Sequence, residues 1–473
     1  MLRRTKIIAT VGPSSASESI LREMLSAGVD VLRINFSHAS ESALGLIQSA
    51  RKIAKELKHP LAVMADLQGP KIRIGRFKHQ SVTLVNGQKF TLNCQNKHLL
   101  GDSKQVFVTY PDLCQEVNIG DRLLLSDGLI ELEVESVQQT EVHCRVIDGG
   151  VLSDLKGLNR KGGGLAARTL TDKDKADMEI AVNAKVDYLG LSFVKDAQDI
   201  RHARELLCQL QAEPTLIIAK IERSEALEHL NEIIQEADAI MVARGDLGVE
   251  IGAAEVPAIQ KRIISQTRQM DKVVITATQM MESMIHSPQP TRAEASDVAN
   301  AILDGTDAVM LSAETATGEY PVKVIQMVDK ICMSAEKHAE FLYQANMDSF
   351  HYQSTDHAIA MAAMYTANHF PVNAIIALTE SGATAVWMSR LQSAIPIFAI
   401  TANERTVARL SLVNNVFPIY LDFRSFKLAQ LNQDVIQYLV ESGRLKKDSQ
   451  VLVTRGTTIG KSGGTNCMEI MSV

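Results

Sequence analysis

The fold is decided by two apolar runs, LIIAKIE (216–222) and AIMVARGD (239–246), each of which ends in charged side chains. Side chains of a strand alternate between its two faces, so Lys220 and Glu222 project to the same side where the first run ends. The second run ends in Asp246. A cation and two carboxylates at the ends of neighbouring strands are a natural way to hold a divalent metal beside a phosphate.

The pattern of an apolar strand followed by a helix recurs eight times. The strands are rich in Val, Ile, Leu and Ala on both faces, which is typical of a parallel sheet covered by helices. The predicted strands are Lys6–Thr10, Val29–Phe36, Leu61–Asp66, Val186–Phe193, Leu216–Glu222, Ala239–Val242, Lys272–Ala277 and Asp307–Leu311. Eight such units predict an α/β protein with a (β/α)8 TIM barrel.

One connection breaks this rhythm. Between Ile72 and Arg168 the chain has β-rich runs and turn signals such as Asp148-Gly149-Gly150 instead of a long helical pattern. We therefore predict an inserted all-β domain that acts as a lid on the active site. After Phe341 an alternation of helices and strands restarts. The predicted domains are a TIM-barrel catalytic domain (1–70 and 169–340), the inserted β-barrel lid domain (71–168) and a C-terminal α/β regulatory domain (341–473).

Composition argues against several classes of function. The chain has 473 residues, 46% hydrophobic and 22% charged, as expected of a large globular protein with more than one domain. A net charge of −6 and a pI near 6.1 give no electrostatic reason to expect nucleic acid or anionic membrane as a partner. No apolar run is long enough to span a bilayer. The six cysteines lack metal-binding spacing and no signal peptide is evident, so we expect free thiols in a cytoplasmic protein.

Polar or charged side chains stand at the ends of almost all the predicted barrel strands, where TIM-barrel active sites lie. Glu222 and Asp246 offer hard oxygen ligands suited to Mg²⁺ or Mn²⁺. Arg33, Arg73 and Lys220 supply positive charge for a phosphoryl group in transfer. That reaction needs positioning and charge stabilisation more than covalent help from the protein. The pattern therefore predicts phosphoryl transfer.

Each of these residues also has a purely structural interpretation. Arg33 can form an ion pair, and Asp66 can cap a turn. Lys220 and Glu222 can form a buried salt bridge, although burying such a pair without a function is costly. Thr278 can be explained by β propensity alone. The functional interpretation therefore depends on the whole set.

Several motifs, in order along nearly the whole chain, resemble those of the pyruvate kinase family. They are Arg33-Ile34-Asn35-Phe36-Ser37-His38, Lys220-Ile221-Glu222, MVARGDLGVE (241–250), Thr276-Ala277-Thr278-Gln279-Met280 and Pro290-Thr291-Arg292-Ala293-Glu294. LQGPKIR (67–73) and QMMESM (279–284) are most similar to the bacterial type II members. The resemblance implies phosphoryl transfer from phosphoenolpyruvate to ADP, giving pyruvate and ATP. It also implies a homotetramer.

The resemblance implies a role for each candidate catalytic residue. Lys220 would steady the migrating phosphoryl group, and Arg33 would bind phosphate. The backbone at Gly245, together with Thr278, would hold the carboxylate and enolate of the three-carbon substrate. Ser312 would lie in the polar route that protonates the enolate. The implied metal ligands are Glu222 and Asp246, and Asp246 is also expected near the substrate.

The resemblance places the nucleotide between the barrel and the inserted domain. Arg73 would meet the nucleotide or the phosphoryl oxygens. Lys156 would reach down from the inserted domain. Asn35 and His38, in the motif that follows Arg33, complete the expected nucleotide contacts.

One departure from the family concerns the monovalent cation. Many members need K⁺, held near the positions of Asn35, Ser37, Asp66 and Leu67, and they have Thr in place of Leu67. They also carry Glu where this chain has Lys71. A lysine ammonium supplies the positive charge that the ion would otherwise bring. We therefore expect an enzyme that does not require K⁺.

A second site is predicted in the C-terminal domain. The segment Thr379-Glu380-Ser381-Gly382-Ala383-Thr384 follows a strand and opens a helix, which offers backbone N–H groups to phosphate; a plain turn is the alternative. In the family this loop binds allosteric phosphates, and members that respond to fructose 1,6-bisphosphate tend to have Lys in place of Glu380. Ala383 stands where many relatives have Arg. Groups that would compensate are Arg455, Lys461 and Ser462. We expect activation by a sugar monophosphate or AMP.

Two other functions fit parts of the pattern. A lyase or aldolase acting on phosphoenolpyruvate or pyruvate needs Mg²⁺ and an enolate site but no nucleotide lid, so Lys156 argues against it. A non-catalytic effector-binding protein with a decayed barrel is the second alternative. Intact Lys220, Glu222, Asp246 and Thr278 argue against decay.

Overall fold

The chain begins with three strands that alternate with helices. The computed structural model describes residues 2–39, 43–165, 169–211, 215–338, 354–391, 393–458 and 460–473, with the backbone only at 38 and 39. The first elements are β1 (Lys6–Val11), α1 (Glu18–Ser26), β2 (Val31–Asn35), α2 (Phe36–Ala39), α3 (Ala43–Glu56) and β3 (Ala62–Asp66). Every residue of β1 and β3 is buried, as expected of parallel strands covered on both faces.

An all-β insertion with one helical turn follows β3. Its elements are β4 (Ser81–Leu84), β5 (Lys89–Asn93), β6 (Gln105–Phe107), α4 (Leu113–Glu116), β7 (Arg122–Leu125), β8 (Ile130–Gln138), β9 (Glu141–Asp148), β10 (Gly150–Ser153) and β11 (Leu158–Arg160). Six of these strands form one sheet in the order β11-β7-β8-β9-β5-β6, and β10 pairs with β4. The insertion has its own hydrophobic core, which includes Phe90, Leu123 and Val142.

The barrel resumes after the insertion. Its elements are α5 (Asp172–Asn183), β12 (Tyr188–Leu191), α6 (Ala197–Gln209), β13 (Leu216–Ile221), α7 (Glu225–Glu228), α8 (Leu230–Glu236), β14 (Ala239–Ala243), α9 (Arg244–Ile251), α10 (Val256–Gln269), β15 (Val273–Ala277), α11 (Arg292–Leu303), β16 (Ala308–Leu311), α12 (Ala313–Ala316) and α13 (Pro321–His338). The eight parallel strands close in the order β1-β16-β15-β14-β13-β12-β3-β2. The predicted TIM barrel is therefore confirmed.

Several of these helices begin at a residue whose side chain caps the helix N-terminus. The Ser17 side chain accepts a hydrogen bond from the backbone of Ile20 at the start of α1. Thr171 and Thr291 each form a reciprocal capping box with the acidic residue three positions later, at the starts of α5 and α11. These caps satisfy backbone N–H groups that a helix leaves free at its first turn.

Six of the eight barrel strands are shorter than predicted, whereas β1 and β14 are each one residue longer. The runs predicted at Val29–Phe36 and Val186–Phe193 appear as Val31–Asn35 and Tyr188–Leu191. The residues beyond the last ladder pair leave the sheet and form the loops at its carboxyl end, and Phe193 there has φ +56°. The polar residues that follow the last ladder pairs therefore lie at the barrel mouth rather than in the hydrogen-bonded sheet.

A C-terminal α/β domain completes the fold, as predicted. Its elements are α14 (Thr355–His369), β17 (Ala374–Leu378), α15 (Ala383–Arg390), β18 (Ile397–Thr401), α16 (Glu404–Leu410), β19 (Val416–Tyr420), α17 (Leu431–Glu441), β20 (Gln450–Gly456) and β21 (Thr465–Ser472). The sheet order is β19-β18-β17-β20-β21, with only β21 antiparallel to its neighbour. Residues 166–168 and 339–353, where two predicted domain boundaries fall, lie outside the described residues.

The helices and the cysteines bear on the predictions about membranes and thiols. Among the described residues, no helix combines the length and the apolar character needed to cross a membrane. All six cysteines are free thiols. Burial raises the pKa of the Cys144 thiol to about 12, so this group is protonated at neutral pH.

A buried ion pair joins the C-terminal domain to the barrel. Arg390, at the end of α15, donates to both carboxylate oxygens of Asp307 at 2.9 and 2.5 Å. The two side chains are 4% and 0% exposed. Asp307 also accepts from the backbone N–H groups of Val274 and Asn414, so it links β15, β16 and the segment before β19. Burial raises the pKa of Asp307, but the Arg390 guanidinium, Arg268 and the Val274 N–H together lower it more, so the net pKa lies below its usual value.

We expect Arg390→Met to lower thermal stability strongly, because it leaves a buried carboxylate without its partner. Breaking such a pair costs about 3–5 kcal/mol. In the wild-type chain the lowered pKa of Asp307 stabilises the fold above the unfolded pKa, and this contribution is lost as the pH falls through the folded pKa. In the variant burial raises that pKa, so the deficit should shrink on acidification. The melting temperatures of both proteins at pH 8 and pH 5 measure this.

Arg424→Met is a matched control, because Arg424 forms an exposed ion pair with Glu380 at 3.0 Å. Such surface pairs contribute at most about 1 kcal/mol. Adding Asp307→Asn to Arg390→Met should recover part of the lost stability. An Arg390→Met melting temperature equal to that of the control would contradict the proposed role of the pair.

Candidate active site

Four charged side chains from the ends of β2, β3 and β13 form a buried cluster. The Arg33 guanidinium lies 2.7 and 2.6 Å, through Nε and Nη2, from Asp66 Oδ2. Lys220 Nζ lies 2.9 Å from Glu222 Oε1 and 3.3 Å from Asp66 Oδ1. The side chains are between 1% and 12% exposed. The structure thus brings together four residues that the sequence placed at three strand ends.

The cluster keeps Lys220 charged. Burial lowers the pKa of Lys220, but the neighbouring charges of Asp66 and Glu222 raise it more, to about 12. Burial likewise raises the pKa of Asp66, and Lys220 and Arg33 outweigh it, so the net pKa is lowered. A group with a pKa near 12 holds its proton at neutral pH and is poorly suited to general acid–base catalysis. Lys220 therefore acts as a fixed positive charge.

Three residues that sequence reasoning missed support this cluster. Thr10, at the end of β1, accepts from Arg33 Nη1 at 2.9 Å. Ser192, just after β12, accepts from Lys220 Nζ at 2.7 Å and donates to the carbonyl of Leu67. Gly190 pairs with Asp66, and a Cβ there would lie 2.9 Å from Asp66 Oδ1. The sequence carried a signal for two of them, because Thr10 ends the predicted first strand and Ser192 lies near the end of the predicted fourth strand, where TIM-barrel sites are found.

Glu222 and Asp246 form a carboxylate pair that can hold a metal ion. Glu222 Oε2 accepts from the backbone N–H of Phe193 at 2.7 Å. Burial raises the pKa of Glu222, and the charge of Asp246 raises it further against the opposing effect of Lys220. Two carboxylates close enough to repel each other fit a divalent cation. No group of three or more His, Cys, Asp or Glu side chains arranged for metal binding occurs in the described part of the chain. Mg²⁺ needs only one or two carboxylates when substrate oxygens and water complete its shell.

Lys71 contacts this carboxylate pair. Its Nζ lies 3.0 Å from Asp246 Oδ1, and both side chains are about one quarter exposed. Among the described residues no hydrogen bond or ion pair joins Lys71 to the residues expected around a monovalent cation, which are Asn35, Ser37, Asp66 and Leu67. The Asn35 side chain instead accepts from the backbone N–H of Ser37 at 3.1 Å, and Leu67 is buried. The positive charge of Lys71 is thus placed beside a carboxylate of the expected metal site.

Gly245 and Thr278 meet across the ends of β14 and β15. The backbone N–H of Gly245 donates to Thr278 Oγ1 at 2.8 Å. Thr278 has φ +68° and Gln279 has φ +54°. A β-branched residue in this left-handed region is strained, and such strain is stored where the surrounding structure compensates for it.

Arg244 compensates for this strain. Its guanidinium is buried and donates to the backbone carbonyls of Ala277, Thr278 and Gln279 at 2.7–3.3 Å. Its remaining amine forms an ion pair with Asp297 on α11 at 2.8 Å. The sequence placed Arg244 in a motif without a role, and the structure assigns it the support of the Thr278 turn.

Ser312 lies at the end of β16, as predicted. Its backbone N–H donates to Glu314 Oε2 at 2.6 Å. The other oxygen of Glu314, a buried residue, accepts from the backbone N–H of Met281 at 3.2 Å. Glu314 therefore ties the loop that carries Ser312 to the loop after Thr278.

Two of the expected nucleotide contacts, Arg73 and Lys156, lie in the inserted domain, whereas Asn35 pairs with Asp66 at the end of β2. Arg73 Nη1 donates to the carbonyl of Leu155 at 3.1 Å, and the backbone of Arg73 pairs with Gly157. Lys156 accepts through its carbonyl from Ile74. Arg73 and Lys156 are thus neighbours at the root of the inserted domain, and no hydrogen bond between described residues joins either to Lys220 or Arg33. The side chain of His38 lies outside the described residues.

The inserted domain is anchored to the barrel next to this site. The backbone N–H groups of Gly162 and Gly164 donate to the carbonyl of Glu250 at 3.2 Å and to Glu225 Oε1 at 2.5 Å. Gly163 has φ +78°, and a Cβ there would clash with Ser224 Oγ. Only glycine fits this close approach of the returning chain to the barrel.

The predicted effector loop forms one side of a second cavity. Gly382 has φ +89° and caps α15, and its N–H donates to Thr379 Oγ1 at 2.9 Å. The Glu380 carboxylate pairs with Arg424 at 3.0 Å. The predicted residues that line this cavity are Thr379, Glu380, Ser381, Ala383, Thr384, Arg455 and Lys461; Ser462 follows in the chain without lining it.

The barrel mouth therefore combines a fixed cation, a carboxylate pair suited to a divalent metal and a preorganised turn. This set can bind an anionic substrate and stabilise charge that moves between oxygen atoms.

Comparison with known proteins gives the same assignment. The model of the family described as "Pyruvate kinase, barrel domain" matches residues 2–325, and the model described as "Pyruvate kinase, alpha/beta domain" matches residues 357–471. Together these matches cover most of the chain.

Similar curated proteins span the full length of the chain. A pyruvate kinase of Buchnera aphidicola is 46% identical over 478 residues, covering 100% of this chain and 99% of the relative. Pyruvate kinase II of Salmonella typhimurium is 44% identical, with 100% and 99% covered. A pyruvate kinase of Geobacillus stearothermophilus is 40% identical, with 99% of this chain and 80% of the relative covered. The chain therefore belongs to the pyruvate kinase family and is a phosphotransferase.

Proposed function

We propose that the chain transfers the phosphoryl group of phosphoenolpyruvate to ADP, giving pyruvate and ATP. The observation that carries the proposal is the position of Lys220. Its ammonium is held between two carboxylates at the barrel mouth and lies beside the Glu222–Asp246 pair. An enzyme of this reaction needs a fixed cation and a metal ion around one moving phosphoryl group.

In the proposed mechanism the charge cluster binds the phosphoryl group, and the turn at Thr278 orients the three-carbon substrate. Lys220 and Arg33 stabilise phosphoryl oxygens, and the Gly245 N–H and Thr278 hydroxyl orient the carboxylate of the three-carbon substrate. Glu222 and Asp246 hold Mg²⁺, or Mn²⁺, which neutralises charge on substrate oxygens when bound. Ser312 belongs to the route that delivers a proton to the enolate.

The inserted domain closes over the nucleotide in this proposal. Arg73 and Lys156 are adjacent at its root and supply two cations for the phosphates of ADP. Asn35 and His38, in the barrel motif that follows Arg33, are the other two proposed nucleotide contacts. We further propose a cytoplasmic homotetramer, on the strength of the relatives' full-length similarity.

We expect Lys220→Met to lower kcat by about 10²–10³, the usual effect of losing one preorganised charge-stabilising donor. The assay is pyruvate formation from phosphoenolpyruvate with Mg²⁺, with and without ADP. Lys175→Met removes an exposed lysine on α5 and should keep wild-type turnover. Wild-type-like turnover by Lys220→Met would refute its role, whereas pyruvate formation without ADP would favour a lyase. Absence of turnover by the wild type would favour a binding protein.

We propose that the enzyme works without K⁺, because Lys71 brings a permanent charge to the metal site. The rates measured in K⁺ and in tetramethylammonium at matched ionic strength should agree within about twofold. This corresponds to a difference in activation free energy of less than about 0.5 kcal/mol. Lys71→Met should depress the rate in both salts, because Asp246 loses its ion-pair partner. Lys78→Met is the matched control, since Lys78 pairs with Asp102 at 3.2 Å on the surface of the inserted domain. Strong activation of the wild type by K⁺ would contradict the proposal.

We propose that a sugar monophosphate or AMP binds the loop after β17. The Glu380 carboxylate at this cavity engages Arg424 at 3.0 Å, so this position supplies no cation for a second phosphate and occupies the guanidinium nearby. Arg455 and Lys461 line the same cavity and supply positive charge.

Ribose 5-phosphate and AMP should therefore lower the phosphoenolpyruvate concentration at half-maximal rate, and fructose 1,6-bisphosphate should not. Glu380→Lys should make the bisphosphate an activator, because it adds a cation at the cavity and releases Arg424 from its ion pair. Glu404→Lys, an exposed change on α16, is the control. Activation of the wild type by the bisphosphate would overturn this assignment.

A further inference from the structure

Two cysteine thiols are in contact inside the inserted domain. Cys94 directly follows β5, and Cys114 lies in the short helix α4. The Cys114 thiol donates to Cys94 Sγ at 3.2 Å. The S–S distance of a disulfide is about 2.05 Å, so the two sulfur atoms need to approach by only roughly 1 Å to form a bond. Neither the proposed reaction nor the proposed effector loop uses this thiol pair.

The fold of the inserted domain holds both thiols in place. The backbone N–H of Cys94 donates to the carbonyl of Thr140 at 2.8 Å. In α4 the N–H of Val117 donates to the carbonyl of Leu113 at 3.1 Å. Cys94 belongs to the hydrophobic core of the inserted domain, and Cys114 packs against that core. The contact between the sulfur atoms is therefore built into the folded domain.

The two thiols differ in their access to solvent. Cys94 is 3% exposed, whereas Cys114 is partly exposed and is followed by the exposed Gln115. Burial raises the pKa of the Cys94 thiol well above its usual value, and the hydrogen bond with Cys114 raises it further. Because a thiol reacts as its thiolate, Cys94 is not the group that reacts first with an oxidant from solution. Cys114 reacts first, and Cys94 is the neighbour that resolves the product.

The chain between the two thiols holds the backbone of Arg73. Thr109 lies in this stretch, five residues before Cys114. Its backbone N–H donates to the carbonyl of Arg73 at 2.9 Å, and its Oγ1 accepts from the N–H of Arg73 at 3.0 Å. A bond between Cys94 and Cys114 would close a loop that contains Thr109. A shift at the end of this loop therefore reaches a proposed nucleotide contact.

We propose that Cys94 and Cys114 are a redox-active dithiol, which a low-molecular-weight disulfide converts into an intramolecular disulfide that displaces Arg73. The Cys114 thiolate attacks one sulfur of the reagent, which gives a mixed disulfide and releases one thiol. Cys94 Sγ then attacks Cys114 Sγ, and the second half of the reagent leaves as a thiolate and takes the Cys94 proton. The dithiol is oxidised to a disulfide, and the reagent is reduced to two thiols. The effect on Arg73 rests on the proposed function.

The test treats the full-length chain with oxidised glutathione. Cys208→Ser and Cys467→Ser are introduced first, because these are the other two cysteines that are not buried. Oxidation should remove two of the four remaining thiols and leave no glutathione on the protein. Mass spectrometry of the digested protein should find a crosslink between Cys94 and Cys114, and dithiothreitol should reverse it.

Two further substitutions in this background separate the steps. Cys94→Ser should trap glutathione on Cys114 as a mixed disulfide, because the resolving thiol is gone. Cys114→Ser is the matched control and should leave the other thiols unreacted, since Cys94, Cys144 and Cys332 are buried. Cys114 is partly exposed, so serine there should preserve the fold, and near-UV circular dichroism of the reduced proteins checks this.

The effect on Arg73 is measured with the crosslinked enzyme. Oxidation should raise the KM for ADP by at least about twofold, because a small misplacement of a positioning group weakens its contact. The KM for phosphoenolpyruvate should stay unchanged, since the charge cluster at the barrel mouth contains neither thiol. The same treatment should leave both KM values of Cys114→Ser unchanged.

Three results would overturn the redox site. They are glutathione retained on Cys114 while Cys94 is present, a crosslink of either thiol to Cys144, and no oxidation of Cys114 at all. An unchanged KM for ADP in the crosslinked enzyme would overturn the link to Arg73. The thiol chemistry is measured without substrates and the activity of the reduced enzyme separately, so a failed redox site and a failed proposed function remain distinguishable.

Discussion

The buried cluster of Arg33, Asp66, Lys220 and Glu222 is the constraint on which the site depends. Two cations and two carboxylates cancel, and this balance is what makes their removal from water tolerable. The members come from three strand ends, so the cluster assembles only when β2, β3, β12 and β13 have paired. Its interior must also leave room for the charges, which is why Gly190 stands opposite Asp66. A substrate with its metal adds charge to a site that is already neutral and ordered.

The second constraint is the turn after β15. Thr278 and Gln279 both adopt positive φ. The Arg244 guanidinium donates hydrogen bonds to the backbone carbonyls of these two residues. The same Arg244 precedes Gly245, whose N–H meets Thr278 Oγ1. Two neighbouring strand ends therefore hold each other in the geometry that an anionic substrate needs. Preorganisation of this kind avoids a rearrangement cost at the moment of reaction.

The sequence predicted the barrel well because apolar strands with charged ends are a strong local pattern. The positions of Lys220, Glu222 and Arg33 followed directly from strand alternation and from the rule that sites lie at carboxyl ends. Thr10 and Ser192 stand at the ends of the first and fourth strands, so the same rule applies to them although they were not predicted. The run Ser224–Gln235 has one helical period, yet the structure breaks it at His229 into α7 and α8.

Other features had no local signal. The positive φ of Thr278 is imposed by contacts with Arg244, more than thirty residues away in the chain. The partner of Lys71 depends on how the inserted domain returns to the barrel, which periodicity does not encode. Such features are set by tertiary packing, which overrides local preference.

The closure of the barrel by β1 and β16 has a consequence for how the chain is made. Lys6 of β1 pairs with Ala308 of β16. About three hundred more residues must therefore be synthesised after β1 before its second partner strand is available. Contacts so distant in sequence are slow to form. The inserted β domain has its own core and can fold on the ribosome during this interval. Until β16 emerges, the buried edge of β1 is exposed to other chains, and that interval is when a growing polypeptide most needs chaperone protection.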